Sequence, residues 1–166
     1  MSVIRPATPQ DVPVILQMIH ELAIYEKEPD AVQNTPELLA GVLFGENPRV
    51  FAAMAENAGG EVQGFALWFL NYSTWEGVHG IYLEDLYVSP DARGEGHGKA
   101  LLKHLAATAV ENGYARVEWS VLDWNEPSIN FYRSLGARPM DGWSTFRLTG
   151  AALESFGTNT PAAARA

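Results

Sequence analysis

Between Ile81 and Asn112 the sequence changes its apolar period, and few folds accommodate the change. Ile81-Tyr-Leu-Glu-Asp-Leu-Tyr-Val88 mixes β-branched and aromatic residues with polar ones until Ser89-Pro90 stops it, the pattern of a strand. Leu101, Leu102, Leu105, Ala106, Ala109 and Val110 then recur at helical spacing until Asn112-Gly113 ends the run. Strand and helix are joined by Arg93-Gly-Glu-Gly-His-Gly98, whose three glycines mark a backbone that bends tightly and leaves N–H groups bare at a helix start.

Such a turn suits an anion. Unpaired N–H groups and the positive end of the helix dipole both favour phosphate oxygens, and Arg93 and Lys99 add positive charge nearby. Two known glycine motifs do not fit. Gly98-Lys99 is followed by Ala100 rather than Ser or Thr, and no glycine leads the run, so it is not a P-loop. Gly94, Gly96 and Gly98 run as G-x-G-x-G, so it is not the dinucleotide fingerprint G-x-G-x-x-G.

Composition sets the outer bounds. The 166 residues fit one domain with a real hydrophobic core, and we expect a single domain over 1–157 with a loose polar tail over 158–166. With no cysteine there is no disulfide, zinc-thiolate site or cysteine nucleophile, which suits a cytoplasmic protein. A net charge of -9 argues against nucleic acid and anionic membranes as partners and is compatible with a cationic small molecule. No run approaches the roughly 20 apolar residues of a membrane span.

Taken in order, Val3-Ile4-Arg5 reads as a strand. Thr8, Pro9 and Asp11 then open a helix whose stripe is Val12, Ile15, Leu16, Ile19, Leu22 and Ala23. A second helix opens at Thr35-Pro36 and should turn Leu38, Leu39, Val42 and Leu43 inward. Val50–Ala55 and Val62–Leu70 flank Ala58-Gly-Gly60 as a hairpin, and Asn71–Gly80 is a second turn. Beyond the central strand and helix, the sequence predicts a strand over Ala115–Val121, a helix from about Glu126 to Leu135, and short strands near Arg138–Met140 and Ser144–Leu148. Hairpins first and a strand-helix-strand crossover later give an α/β (α+β) fold with a mixed, mostly antiparallel central sheet and helices on both faces.

Arg93-x-x-Gly96-x-Gly98 after Val88-Ser89-Pro90 resembles the acyl-CoA pyrophosphate loop of the GNAT family of N-acetyltransferases. Val3–Thr8, Glu21-Leu-Ala-Ile-Tyr-Glu26, Tyr82-Leu-Glu-Asp85 and Trp124-Asn-Glu-Pro-Ser-Ile-Asn-Phe-Tyr132 are similar to its diamine branch, the spermidine/spermine and thialysine acetyltransferases. The resemblance implies the acyl-CoA N-acyltransferase fold, with central strands splayed to admit a pantetheine arm. It also implies acetyl-CoA as donor, a diamine, polyamine or lysine-like amine as acceptor, direct transfer, and a homodimer. Cofactor contacts implied by it are Leu86, Tyr87 and Val88, then Arg93, Gly94, Glu95, Gly96, His97, Gly98 and Lys99, and Asn125. Amine contacts implied by it are Glu26, Trp75, Asp85 and Asp141.

The chemistry asks for few groups. An aliphatic amine has a pKa near ~10 and attacks only when neutral, so a base is needed, and Glu84 is the candidate. A departing thiolate, whose conjugate acid has a pKa near ~8.5, benefits from a donor, and Tyr132 stands where the resemblance puts the acid. No metal is required. Two other readings share the motif: acetylation of a protein or peptide amine, and a non-catalytic module that binds the coenzyme.

Overall fold

The computed structural model of the protein describes residues 2–158. The expected tail, 158–166, therefore lies outside the described residues except for Thr158. The described chain falls into two compact units, one ending at Asp123 and the other beginning at Trp124.

The first unit is built on a five-stranded sheet in the order β1-β2-β3-β4-β5. Its strands are β1 (Val3–Pro6), β2 (Val50–Glu56), β3 (Val62–Ser73), β4 (Val78–Val88) and β5 (Val117–Glu118). The first three pairings are antiparallel, and β4 with β5 is parallel. Both long hairpins pair further than the sequence reading allowed, so the second turn shrinks from Asn71–Gly80 to the residues between Ser73 and Val78.

Helices cover both faces of this sheet, as its two-sided apolar strands require. On one face, Val12, Ile15 and Met18 of α1 (Val12–Tyr25) and Leu39 and Leu43 of α2 (Pro36–Phe44) pack on Ala52, Met54, Phe65, Leu67 and Tyr87. Against the other lies α3 (His97–Glu111), with Leu101 and Leu105 fully buried and His104 edge-on to Trp68 at 6.1 Å. Each such side chain contributes about 1.5–3 kcal/mol by leaving water. Two of the helices bury a narrower stripe than their apolar pattern predicts. Leu38 and Val42 of α2 are exposed, and so are Ala106 and Val110 of α3. A helix lying on a flat sheet buries only a narrow face, and these residues lie off it.

The start of α1 is fixed by an ion-paired network. Asp11 accepts two hydrogen bonds from the Arg5 guanidinium, at 2.7 and 2.8 Å, and two more from the Thr8 N–H and hydroxyl; Arg5 Nε also donates to Glu56 at 2.6 Å. The Arg5 side chain holds the buried Asp11 carboxyl down at about 2. A carboxyl depressed in this way stabilises the fold above its ordinary pKa and stops doing so as pH falls through about 2. Asp11→Ala is expected to cost about 2–3 kcal/mol near neutrality by stranding Arg5, with the gap closing as acid protonates Asp11. Urea denaturation across that range checks it, and a pH-independent gap would contradict it.

The other end of α1 closes in a Schellman turn. Lys27 N–H donates to Ile24 C=O at 3.1 Å and Glu28 N–H to Ala23 C=O at 2.9 Å. Lys27 occupies the left-handed position at φ 67°, which glycine usually fills.

In the second unit, α4 (Glu126–Ser134) is capped by Asn125, whose side chain accepts from the Ser128 N–H at 3.4 Å. The strands expected near Arg138–Met140 and Ser144–Leu148 do not form, and Met140 and Phe146 stand exposed. Alternation makes a strand only where a neighbour completes the ladder, and Pro139 lacks the N–H to contribute to one. The chain instead forms α5 (Gly150–Thr158), which the sequence pattern does not announce and which takes in the first residue of the expected tail, Thr158.

Candidate active site

Two departures from regular pairing create the site in the first unit. The first is a bulge in β4. Leu67 faces Asp85 and Trp68 faces Leu83, so Glu84 is an extra residue with no partner on β3. Adjacent strand residues ordinarily point to opposite faces, and the bulge suspends that rule where two carboxylates stand side by side. Burial is the first cause lifting Asp85 to about 6, and the charges of Glu84 and Glu26 lift it further. Burial also raises Glu26, which sits just past the end of α1. Two exposed carboxylates, Glu84 and Glu26, are thus brought within electrostatic reach of the half-buried Asp85.

The second departure is the early parting of β4 and β5. Their pairs are Ile81 with Val117 and Tyr82 with Glu118, and β5 stops there instead of running from Ala115 to Val121 as expected. From Leu83 to Val88, β4 pairs with β3 but with no second strand among the described residues, so its free edge offers peptide groups to a ligand. That stretch includes Glu84 and Asp85 and the expected contacts Leu86, Tyr87 and Val88. Tyr87 is buried in the core under α1, so it can offer only its backbone to a ligand.

The glycine turn follows directly. Gly94 and Gly96 adopt φ 89° and 91°, and Gly96 is the residue before α3. The first bond of the helical ladder runs from Ala100 N–H to Gly96 C=O, so the N–H groups of His97, Gly98 and Lys99 precede it. A Cβ built at Gly94 or Gly96 meets nothing within 4 Å, so the turn is open on that side. These N–H groups, the helix dipole and Lys99 suit a diphosphate.

Not every expected side chain is free to take part. His97 is buried, with Nδ1 2.9 Å from Ser2 Oγ and Nε2 3.4 Å from Glu95, so its ring cannot flank phosphates and only its N–H remains for them. Arg93 is folded back: its Nε donates to Val88 C=O at 3.1 Å. Trp75, 90 % exposed, lies in the β3–β4 turn. Glu84 lies six residue steps along β4 from Val78, roughly 20 Å of strand, so Trp75 does not meet Glu84 or Asp85 of its own chain. In the second unit, Tyr132 lies on α4 with its ring 5.5 Å from Phe131, Asn125 caps that helix, and Asp141 is exposed. Among the described residues, no three His, Cys, Asp or Glu side chains gather to hold a metal ion, and no helix is long and apolar enough to cross a membrane.

Comparison with known proteins decides which family this strand and turn belong to. The model of the Acetyltransferase (GNAT) family matches residues 15–137, across both units. The chain belongs to the GNAT acetyltransferase family. A thialysine N-epsilon-acetyltransferase of Sus scrofa is 42% identical over 163 residues, covering 92% of this chain and 95% of the relative. An L-ornithine N5-acetyltransferase of Arabidopsis thaliana is 34% identical, covering 93% and 87%. Among solved structures, an integron cassette protein from the mobile metagenome of V. cholerae superposes with a TM-score of 0.78 at 27% identity, covering 94% of this chain and 97% of its own. This GNAT protein is an acetyltransferase enzyme, in the branch that the sequence motifs resembled.

Proposed function

We propose that the protein transfers the acetyl group of acetyl-CoA to the side-chain amine of a small cationic amino acid of the lysine or ornithine type, or to a related diamine. The observation that carries this reading is the open edge of β4, which holds the bulged carboxylates at one point and leads into the anion-binding turn at its end. The names of the relatives, acting on thialysine and on ornithine, support the same substrate class.

When bound, acetyl-CoA supplies an activated acetyl thioester. The N–H groups that open α3, with Lys99 and the backbone of Arg93, Gly94, Glu95 and Gly96, hold its diphosphate. Backbone groups of Leu86, Tyr87 and Val88 orient its pantetheine arm. Glu84, exposed in the bulge, takes the proton of the incoming ammonium, directly or through water. Asp85 and Glu26 hold the cation by charge. Tyr132 supplies a proton to the departing sulfur, Asn125 lies beside the cofactor, and Asp141 adds to amine recognition.

We also propose a cytoplasmic homodimer. Trp75 stands roughly 20 Å of strand from Glu84 and Asp85 of its own chain, so its part in amine recognition requires a second copy to present it. A thiol-release assay with acetyl-CoA and a panel of amines tests the main reading. Turnover with thialysine, ornithine or a short diamine is expected; thiol release with peptide amines alone would replace it with the protein-acetylating alternative.

A further inference from the structure

Arg93 was expected to serve the diphosphate, yet its side chain is committed elsewhere. Its guanidinium carbon lies 5.2 Å from the ring centre of Tyr25 and 5.8 Å from that of Tyr87, distances at which a cation is attracted to an aromatic face. Its Nε donates to Val88 C=O, the last residue of β4. The Tyr87 hydroxyl is held between Glu21 of α1 and Arg93; its pKa is raised first by burial and then by Glu21, with Arg93 opposing. A single planar cation therefore joins the glycine turn, the end of β4 and the last turn of α1.

Tyr25 is the final residue of α1 and Glu26 is next to it. The Schellman turn, with Lys27 locked at φ 67°, fixes the backbone here, so a shift of the Tyr25 ring is not easily absorbed before Glu26. Glu26 in turn acts on Asp85 by charge. Arg93 thus ties the cofactor turn to Tyr25, whose chain neighbour Glu26 acts by charge on Asp85.

On the acetyl-transfer reading above, we propose that Arg93 is a positioning residue whose stack on Tyr25 couples coenzyme binding to amine binding. Ordering the glycine turn around a diphosphate fixes Arg93, Arg93 fixes Tyr25, and Glu26 is thereby held where the cation arrives. Coupling of this kind is reciprocal: if the coenzyme tightens the amine, the amine tightens the coenzyme by the same factor.

Calorimetry with coenzyme A, which has no acetyl group to transfer, isolates binding from turnover. In the natural protein, thialysine or ornithine should bind about fivefold to tenfold more tightly at saturating coenzyme A than without it, within the usual range of such couplings. Arg93→Met should bring that ratio to about one when coenzyme A is again saturating. Tyr25→Leu should do the same while leaving coenzyme A affinity measured alone within about twofold, and Tyr25→Phe, which keeps the ring, should retain the ratio. The Tyr25 pair keeps the test decisive if Arg93→Met fails to fold. Equal amine affinity with and without coenzyme A in the natural protein, or an unchanged ratio in Tyr25→Leu, would overturn the coupling. Absence of heat with coenzyme A, or with both amines, would instead overturn the functional reading on which it rests.

Discussion

Asp85→Asn is expected to make the protein more stable at neutral pH while weakening its grip on the amine. The carboxyl is raised from 3.8 to about 6, so ionising it works against the folded state. Below the ordinary carboxylate pKa both folded and unfolded chains hold the proton and there is no penalty. Between that value and about 6 the unfolded chain has released its proton and the folded chain has not, so stability falls as pH rises. Above about 6 the penalty is complete. A shift of about two units corresponds to about 3 kcal/mol, an upper figure because local relaxation and water entry reduce it. Asparagine has no charge to bury, so the variant should gain about 1–3 kcal/mol near pH 8 and almost nothing near pH 4. Urea denaturation at those two pH values decides it: a gain that is absent at the higher pH, or equal at both, would mean that Asp85 is not strained by its neighbours. An accompanying rise in the KM for the amine would show that the strain serves binding, the usual trade of stability for a working site.

The bulge behind this strain was more legible than simple alternation suggests. Strict period two places Glu84 and Asp85 on opposite faces. Yet Ile81 and Leu83 are two apart, Leu86 and Val88 are two apart, and Leu83 to Leu86 is three. All four share one face in the structure, through pairs with Leu70, Trp68, Ala66 and Gly64. A slip of one in the apolar period, with two acids inside it, is the trace a bulge leaves in a sequence. The glycine turn was legible for a related reason: Gly94 and Gly96 take a backbone conformation other residues resist, so their function is written in their identity.

What could not be read depends on contacts between distant residues. Nothing in Gly-His-Gly says that His97 turns inward to Ser2, because that contact joins positions 95 apart in the chain. Nor does the motif say that Arg93 folds onto Tyr25, since an arginine beside bare N–H groups is equally suited to phosphate. Ser144–Leu148 alternates as a strand should, but alternation reports only a preference for two unlike faces. The early end of β5 was hidden for the same reason, since Trp119 and Val121 continue the pattern past the point where pairing stops.

Glu84→Gln is expected to lower kcat by about 100-fold to 1,000-fold at neutral pH while coenzyme A affinity stays within about twofold. Glutamine fills the same space in the bulge and can still hold a water, but it cannot take a proton. The substrate amine, with a pKa near ~10, is then left to lose its proton to solvent, and the neutral fraction available for attack rises about tenfold with each unit of pH below that value. The defect should therefore shrink steadily as the assay is made more alkaline. Asp85 is the rival base, since its raised pKa brings it closer to the working range. The two variants separate the roles: if Glu84 is the base, its loss falls on kcat and that of Asp85→Asn falls mainly on the amine KM. A Glu84→Gln enzyme with near-normal kcat, beside an Asp85→Asn enzyme that has lost it, would transfer the proton to Asp85 and leave Glu84 to attract the cation. Geometry favours Glu84, because a base must release its proton to water after every turnover and the bulge holds that side chain at the surface.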